Sequence, residues 1–303
     1  MIRTTGIGGL PHLDPTDAAA FVDRTADVPY LPQLPRRHPE EGMLLQWGDG
    51  LCGCGAGGGL GLEYGAPTGP RHEAFVGALG YLDELEAAPP LLKVQATGPV
   101  TLGLAMRAGG HPGDDALWSC VVEGLCDRIE DHLRRVARRL PDTELLVVLD
   151  EPALGAGPAI GGLGPARDAL AAVLDRIHPR PGIHCCGDAP WSELAGLSPA
   201  AVSFDVGSVG RAFAGSVDAL AEVLSAGTRM IWGAVPVDAP PLPPLEHLVS
   251  RIRRVEGALV MAGADLAALG DAWVSPACGL AGLTPDHASA VARRTAEVAE
   301  ELH

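Results

Sequence analysis

One histidine and two cysteines end a short apolar segment in the run Ile183-His184-Cys185-Cys186-Gly187. Successive side chains of a strand point to opposite faces, so His184 and Cys186 share one face and Cys185 lies on the other. An imidazole and a thiolate on one face are the mixed nitrogen and sulfur donors that Zn²⁺ prefers. Buried histidine and cysteine also occur as plain packing residues, so further ligands are needed before this pair predicts a metal site.

Two further candidate ligands end later predicted strands. Asp205 closes the apolar run that begins at Ala201, and Cys278 lies between Pro276 and Leu280. Taken singly, an acid in this position is more often a helix cap or a solvated loop residue, and a lone cysteine is more often a small buried residue. In a closed α/β barrel, however, all strand C-termini open onto one face. Both residues would then converge with the first pair of candidate ligands.

Two adjacent carboxylates, Asp150 and Glu151, end another predicted strand directly before Pro152. A solvated turn held by Pro152 is one interpretation. The other is that Asp150 receives a cationic or hydrogen-bond-donating part of a substrate.

The elements that position these residues alternate between short apolar segments and amphipathic ones. This order predicts parallel strands with right-handed crossovers, as in a (β/α)8 barrel or a doubly wound sheet. We favour a single (β/α)8 TIM barrel over residues 1–303, because the glycine-rich phosphate sequence of a dinucleotide fold does not follow the first strand. The predicted strands are Leu92–Thr97, Leu145–Leu149, Gly182–Cys186, Ala201–Phe204 and Met230–Val235. The predicted helices are Asp114–Leu140, Pro165–Ile177, Ser216–Ser225, Leu245–Glu256 and Pro285–Leu302.

A glycine-rich segment interrupts this alternation. Residues 48–69 contain ten glycines together with Cys52 and Cys54, and we predict a long loop over one end of the barrel without a metal role. Cys120 and Cys126 lie in the longest predicted helix as packing residues. In a reducing compartment, scattered cysteines are more often core, metal or catalytic residues than disulfides.

The charge balance excludes several classes of partner. The chain has 22 basic and 38 acidic residues, which argues against nucleic acid and anionic membrane surfaces. No apolar stretch approaches the roughly 20 residues of a membrane span, and the N-terminus lacks the pattern of a secretion signal. We therefore expect a soluble cytoplasmic protein.

Six segments, in order along nearly the whole chain, match the motifs of one known family. They are Thr5–His12, Lys93–Leu102, Asp150–Leu154, His184–Cys186, Asp205 and Cys278–Leu280. In this order they resemble IGSFP, TGPVT, DEPAL, His-x-Cys, a glutamate and CGL of the catalytic barrel of cobalamin-independent methionine synthase. That family belongs to a wider group with uroporphyrinogen decarboxylase and corrinoid-linked methyltransferases.

The resemblance implies a zinc site and a substrate site. The implied zinc ligands are His184, Cys186 and Cys278, with Asp205 in the place of the family's glutamate. The predicted substrate-binding residues are Asp150, Gly8, Gly9 and His12.

The implied reaction transfers a methyl or alkyl group to a zinc-activated small thiol, either homocysteine, as in methionine biosynthesis, or another thiol. The metal stabilises the thiolate, which is the nucleophile, at a pH where a free thiol is mostly protonated. The implied methyl donor is a methylated folate or a methyl-corrinoid protein. A chain with room for one barrel resembles the short core form of the family.

Three positions depart from the family pattern. Gly9 stands where the family has a serine that contacts homocysteine, and Leu45 stands where it has an amine-binding glutamate. Asp238 takes the place of the catalytic histidine and is our candidate catalytic residue. These departures keep open a non-catalytic zinc- or small-molecule-binding protein of the same fold. A uroporphyrinogen decarboxylase-like enzyme is a further alternative, disfavoured because Arg3 is the only basic residue near the first predicted strand end.

Overall fold

Seven parallel strands form one curled sheet at the centre of the protein. The computed structural model describes residues 2–57, 61–68, 72–113, 115–155, 162–187, 189–208, 216–225, 227–238 and 241–303. The strands are β1 (Arg3–Thr4), β2 (Cys54–Ala56), β3 (Leu62–Tyr64), β4 (Leu91–Thr97), β5 (Glu144–Asp150), β6 (Gly182–Cys185), β7 (Ala201–Asp205), β8 (Arg229–Val235) and β9 (Trp273–Pro276). The order in the large sheet is β1-β9-β8-β7-β6-β5-β4, while β2 and β3 form a separate antiparallel pair.

Residues 28–33 lie between the two edges of this sheet. Val28 N donates to Thr4 O on the β1 side, and Leu31 N donates to Lys93 O on the β4 side. The segment nevertheless forms only isolated bridges to β4 and to the loop after β1. Pro29 and Pro32 explain this, because proline has no N–H to donate to a ladder.

The predicted closed barrel is therefore confirmed only in part. The fold is an α/β fold whose curled parallel sheet is consistent with a TIM-like barrel. Regular pairing among the described residues gives a seven-stranded sheet rather than a closed barrel of eight strands.

Helices connect successive strands of the large sheet. They are α1 (Pro15–Thr25), α2 (Met43–Gly48), α3 (Val76–Glu84), α4 (Pro99–Ala108), α5 (Asp115–Arg139), α6 (Pro165–Arg176), α7 (Val217–Ser225), α8 (Leu245–Met261), α9 (Leu266–Gly270) and α10 (Pro285–Leu302). The five predicted strands and five predicted helices are all present, and most begin and end within two residues of the prediction. Helix α8 continues five residues beyond its predicted end at Glu256, because Leu259 extends its buried face. No helix in the described part of the chain is long and apolar enough to cross a membrane.

The inside of the curled sheet is apolar near the beginning of the strands. Val28, Ala201, Ile231 and Trp273 form a buried cluster there, separate from the larger core between sheet and helices. Polar side chains occupy the inside further along the strands, so a polar site lies at their C-terminal ends.

The glycine-rich segment contains the β2–β3 hairpin rather than only a loop. The structure pairs Cys52 with Cys120 of α5 in a disulfide with a Cα–Cα distance of 5.8 Å, which corrects the expectation of unpaired cysteines. Cys54 and Cys126 are free and buried. The two bonded residues are 68 positions apart, so local sequence patterns carry no signal of their contact.

Candidate metal and substrate site

Three predicted strands bring polar side chains to one level inside the sheet. Asp150 of β5 pairs in register with His184 of β6, and His184 pairs with Ser203 of β7. Residues in register on parallel strands present their side chains to the same face, so these three side chains share the inside of the sheet. All three are buried, with exposed fractions of 7%, 3% and 2%.

The His184 ring has one partnered and one unpartnered nitrogen. Nδ1 forms a 2.9 Å hydrogen bond with Ser203 Oγ. Nε2 is buried and has no hydrogen-bond partner among the described residues. A buried polar atom without a partner costs free energy, so such an atom in a native protein is a candidate for binding a ligand or a metal ion.

Cys186 is the first residue after β6, Cys278 is the second residue after β9, and each is partly buried. The interaction between the two thiols is the main cause that lowers the pKa of Cys186. The interaction with Cys186 is also the main cause that raises the pKa of Cys278, while the interaction of Cys278 with the His184 side chain lowers it. The two thiols therefore influence each other's ionisation, and the thiol of Cys186 ionises more readily than an ordinary cysteine.

Cys185 lies on the other face of β6, as the alternation of side chains predicts. It is fully buried within the large core and its thiol donates to Gly187 O. The adjacent cysteines therefore have different environments, one in the core and one in the polar site.

The chemistry of these donors fits zinc, which binds imidazole nitrogen and thiolate sulfur. His184 Nε2 is buried, and Cys278 interacts with both the His184 side chain and Cys186. Within the described residues, however, no group of three or more His, Cys, Asp or Glu side chains is arranged to hold a metal ion. The ligand set taken from the sequence thus stays a prediction.

Asp205 takes part in a turn after β7. Its Oδ1 accepts a 2.7 Å hydrogen bond from Gly207 N. Burial raises its pKa, and the nearby Asp238 adds to this while Arg251 opposes it. Asp205 therefore stabilises its own turn, as expected for a loop residue. Its role as a metal ligand stays a prediction.

The loop after β1 lies against the loop that carries Cys278. Leu280 N donates to Gly9 O at 2.7 Å. Gly8 has a φ of +149°, and a Cβ there would lie 2.5 Å from Gln95 Nε2. Only glycine allows this close approach, so the predicted substrate loop is held between β4 and the Cys278 loop.

Two residues of β4 complete the polar interior. Lys93 Nζ donates to Ile7 O at 2.7 Å, and Gln95 Nε2 donates to Leu31 O. Gln95 Oε1 and Asp150 Oδ1 are both buried without a hydrogen-bond partner among the described residues. Burial raises the pKa of Asp150, with Lys93 and His184 opposing it. Burial also lowers the pKa of Lys93 to about 8.

Sequence reasoning missed Ser203 and Gln95 as site residues. A signal was present for Gln95, because Lys93, Gln95 and Thr97 alternate with apolar residues in a strand that is buried on both faces. Such alternation indicates a polar interior. Ser203 carries no comparable signal, because one serine in an apolar strand is common.

The two remaining predicted residues lie apart from this polar level. His12 packs against Phe21 of α1, with ring centroids 5.1 Å apart, and burial lowers its pKa. Asp238 is exposed and follows β8 near Asp205. Their substrate and catalytic roles remain predictions.

Glu151 has a structural role at the start of α4. Its carboxylate accepts hydrogen bonds from Val100 N at 2.9 Å, from Thr101 N at 2.7 Å and from the Thr101 hydroxyl. Gly98, which precedes α4, offers no side-chain cap, so Glu151 supplies it. This contact joins two of the sequence motifs.

The fold and the site together define an α/β protein with a curled parallel sheet and a polar site at the C-terminal strand ends, the place where TIM-like barrels carry their function. The sequence pattern described as "Cobalamin-independent synthase, Catalytic domain" matches residues 169–301. The match covers less than half of the chain and agrees with the resemblance of the sequence motifs to the catalytic domain of cobalamin-independent methionine synthase.

Known proteins are similar to this chain in sequence or in fold. The methionine synthase of Methanothermobacter marburgensis is 24% identical over 210 residues, which cover 68% of this chain and 62% of that protein. A methyltransferase from Methanosarcina mazei has a similar fold, with a TM-score of 0.59 at 14% identity over 99% of this chain and 94% of its own.

A B12-independent methionine synthase from Shewanella sp. W3-18-1, solved in complex with selenomethionine, matches with a TM-score of 0.50 at 14% identity. That match covers 74% of this chain and 64% of the Shewanella chain. This chain therefore spans less than two thirds of each of the two methionine synthases. The two structural matches show the fold.

Proposed function

We propose that this protein is a zinc-dependent methyltransferase that transfers a methyl or alkyl group to a small thiol. The observation that carries the proposal is the buried, unpartnered Nε2 of His184 beside the Cys186–Cys278 pair. These three residues would hold the zinc ion, with Asp205 as the fourth protein ligand. The match of residues 169–301 to the catalytic domain of the cobalamin-independent synthase supports this function.

When bound, zinc would stabilise the thiolate form of the substrate at neutral pH. The chain's own residues bind and orient the substrate. Asp150 Oδ1 accepts a hydrogen bond from a donor group of the thiol substrate, and the backbone of Gly8 and Gly9 forms the opposite wall. Asp238 takes the proton-handling role at its carboxylate.

Homocysteine is the leading acceptor, and another small thiol is the alternative. The Shewanella relative was solved with selenomethionine, a methylated amino acid of the kind that methyl transfer to a homocysteine analogue produces. A methylated folate or a methyl-corrinoid protein is the proposed donor. We propose neither a nucleic-acid nor a membrane partner, and the cytoplasmic location remains a prediction.

Metal analysis of the purified full chain tests the zinc site. We expect about one zinc per chain, bound through the ligands of a structural or catalytic site. His184→Ala and Cys278→Ser should lose the metal, whereas Cys126→Ser, which removes a buried free thiol of α5, should keep it. A wild-type chain without zinc refutes the proposal.

A thiol panel tests the reaction. Methylcobalamin or a methylated folate is supplied with homocysteine and other small thiols, and formation of the thioether is followed by mass spectrometry. Methyl transfer to any thiol that disappears in His184→Ala supports the methyltransferase. Stoichiometric zinc without transfer favours the non-catalytic binding protein, which Gly9 and Leu45 in place of polar family residues also favour.

A further inference from the structure

Ser203 is the side chain in direct contact with the ring of His184. It lies in the middle of β7, is 2% exposed, and its Oγ is 2.9 Å from His184 Nδ1. The two residues are also paired in register between β6 and β7. The sheet itself therefore holds the hydroxyl opposite the ring.

A second buried serine shows that this contact is particular to Ser203. Ser275 of β9 is also fully buried, but its hydroxyl donates to Pro276 O at 2.9 Å, a carbonyl of its own strand. The hydroxyl of Ser275 thus forms its hydrogen bond within its own strand. Ser203 directs its hydroxyl to a neighbouring strand and a titratable ring.

The identity of the donor in this hydrogen bond decides what Nε2 can do. A neutral imidazole carries one N–H, and its other nitrogen is an acceptor. When Nδ1–H donates to Ser203 Oγ, Nε2 presents a lone pair. When Ser203 Oγ–H donates instead, the proton sits on Nε2 and this nitrogen cannot bind a metal ion.

We propose that Ser203 is a positioning residue for metal binding, a role that rests on the proposed function. Its Oγ accepts the hydrogen bond from Nδ1–H of His184, which fixes both the orientation of the ring and the tautomer with a free lone pair on Nε2. Hydrogen-bond partners of this kind orient metal-binding histidines, and their removal lowers metal affinity about 10- to 100-fold.

Zinc affinity of the full chain tests this role directly. Zinc alone is titrated in competition with a chromophoric chelator at constant pH. We expect Ser203→Ala to weaken zinc binding about 10-fold or more. The matched control Ser275→Ala, a buried serine on the same sheet, should bind zinc like the wild type.

A matched pair keeps the test decisive if the alanine variant does not fold. Ser203→Thr and Ser203→Val have side chains of nearly the same shape, and only threonine keeps the hydroxyl. The threonine variant should bind zinc about 10-fold more tightly than the valine variant. Circular dichroism of the zinc-free chains checks that both fold.

Nuclear magnetic resonance supplies a readout of the tautomer itself. In the zinc-loaded wild type, the ¹⁵N shifts of His184 should show a protonated Nδ1 whose proton exchanges slowly with water. Ser203→Val should make this exchange faster. A packing role alone would not change it.

The possible results separate the two proposals. The role of Ser203 is overturned, while the zinc site stands, if Ser203→Ala and Ser203→Val both bind zinc with wild-type affinity. It is also overturned if Ser275→Ala weakens zinc binding as much as Ser203→Ala does. A wild-type chain that binds no zinc overturns the proposed function itself. A protonated Nε2 in the zinc-free wild type also contradicts the role of Ser203.

Discussion

The side chains of Cys186 and Cys278 interact although two strands, β7 and β8, separate the strands that they follow. Neighbouring strands lie about 4.8 Å apart, so in a flat sheet three such spacings would place the two strand ends about 14 Å apart. The curl of the sheet brings them together. The candidate metal site therefore depends on the curl of the whole sheet and not on one motif.

This contact predicts selective oxidation. In zinc-free protein, diamide should oxidise both thiols and join Cys186 to Cys278 in a disulfide, and added zinc should prevent it. Cys185 should stay reduced because it is buried on the other face of β6. Mass spectrometry of proteolytic peptides identifies the linkage. Oxidation that joins Cys185 instead would contradict the arrangement.

The cap of α4 by Glu151 predicts a large effect on stability. Glu151→Ala leaves the buried N–H groups of Val100 and Thr101 without their acceptor. Each buried unpaired donor costs about 1–3 kcal/mol, so we expect the free energy of unfolding to fall by about 3 kcal/mol in urea denaturation. The control Glu144→Ala removes an exposed carboxylate of the same strand and should change stability by less than about 0.5 kcal/mol.

Adjacent glycines of the β1 loop should respond differently to the same substitution. A Cβ on Gly8 would lie 2.5 Å from Gln95 Nε2 at a φ of +149°, whereas the nearest atom to a Cβ on Gly9 is at 3.4 Å. Gly8→Ser should therefore destabilise by about 1–3 kcal/mol because of backbone strain and the close contact. Gly9→Ser places a side chain where there is room for one and should be neutral within about 0.5 kcal/mol. Thermal unfolding distinguishes them, and equal losses would refute the local geometry.

The buried ring of His132 should make the stability of the protein depend on pH. Its ring is buried against Phe75, and burial lowers its pKa from 6.5 to about 4. The unfolded chain binds this proton more readily, so stability is complete above pH 6.5 and decreases as the pH falls from 6.5 to 4. A shift of this size corresponds to about 3 kcal/mol.

Replacing this histidine tests the assignment. His132→Phe keeps an aromatic ring beside Phe75 and should flatten the decrease between pH 6.5 and 4 in urea unfolding. His247→Phe changes an exposed histidine of α8 and should leave the decrease intact. An unaltered pH profile in His132→Phe would show that another group causes the acid sensitivity.

Local patterns in the sequence predict most elements of this fold. Apolar periodicity and prolines at helix starts predict α6 and α10 to within a residue, because these signals act over one or two turns. The alternation along β6 likewise places Cys185 opposite His184 and Cys186. Such signals are local and can be read directly from neighbouring residues.

The sequence by itself therefore predicted five of the strands, five of the helices, the resemblance to a known family and the types of donor available for a metal ion. Only the tertiary structure decided that Glu151 caps a helix, that Cys52 bonds to Cys120, and that Ser203 contacts the His184 ring. These relationships join residues that are far apart in the chain, and each depends on the register of the strands and the curl of the sheet. No local pattern encodes a distance between two strands, so the packing of the whole sheet is what assembles the site.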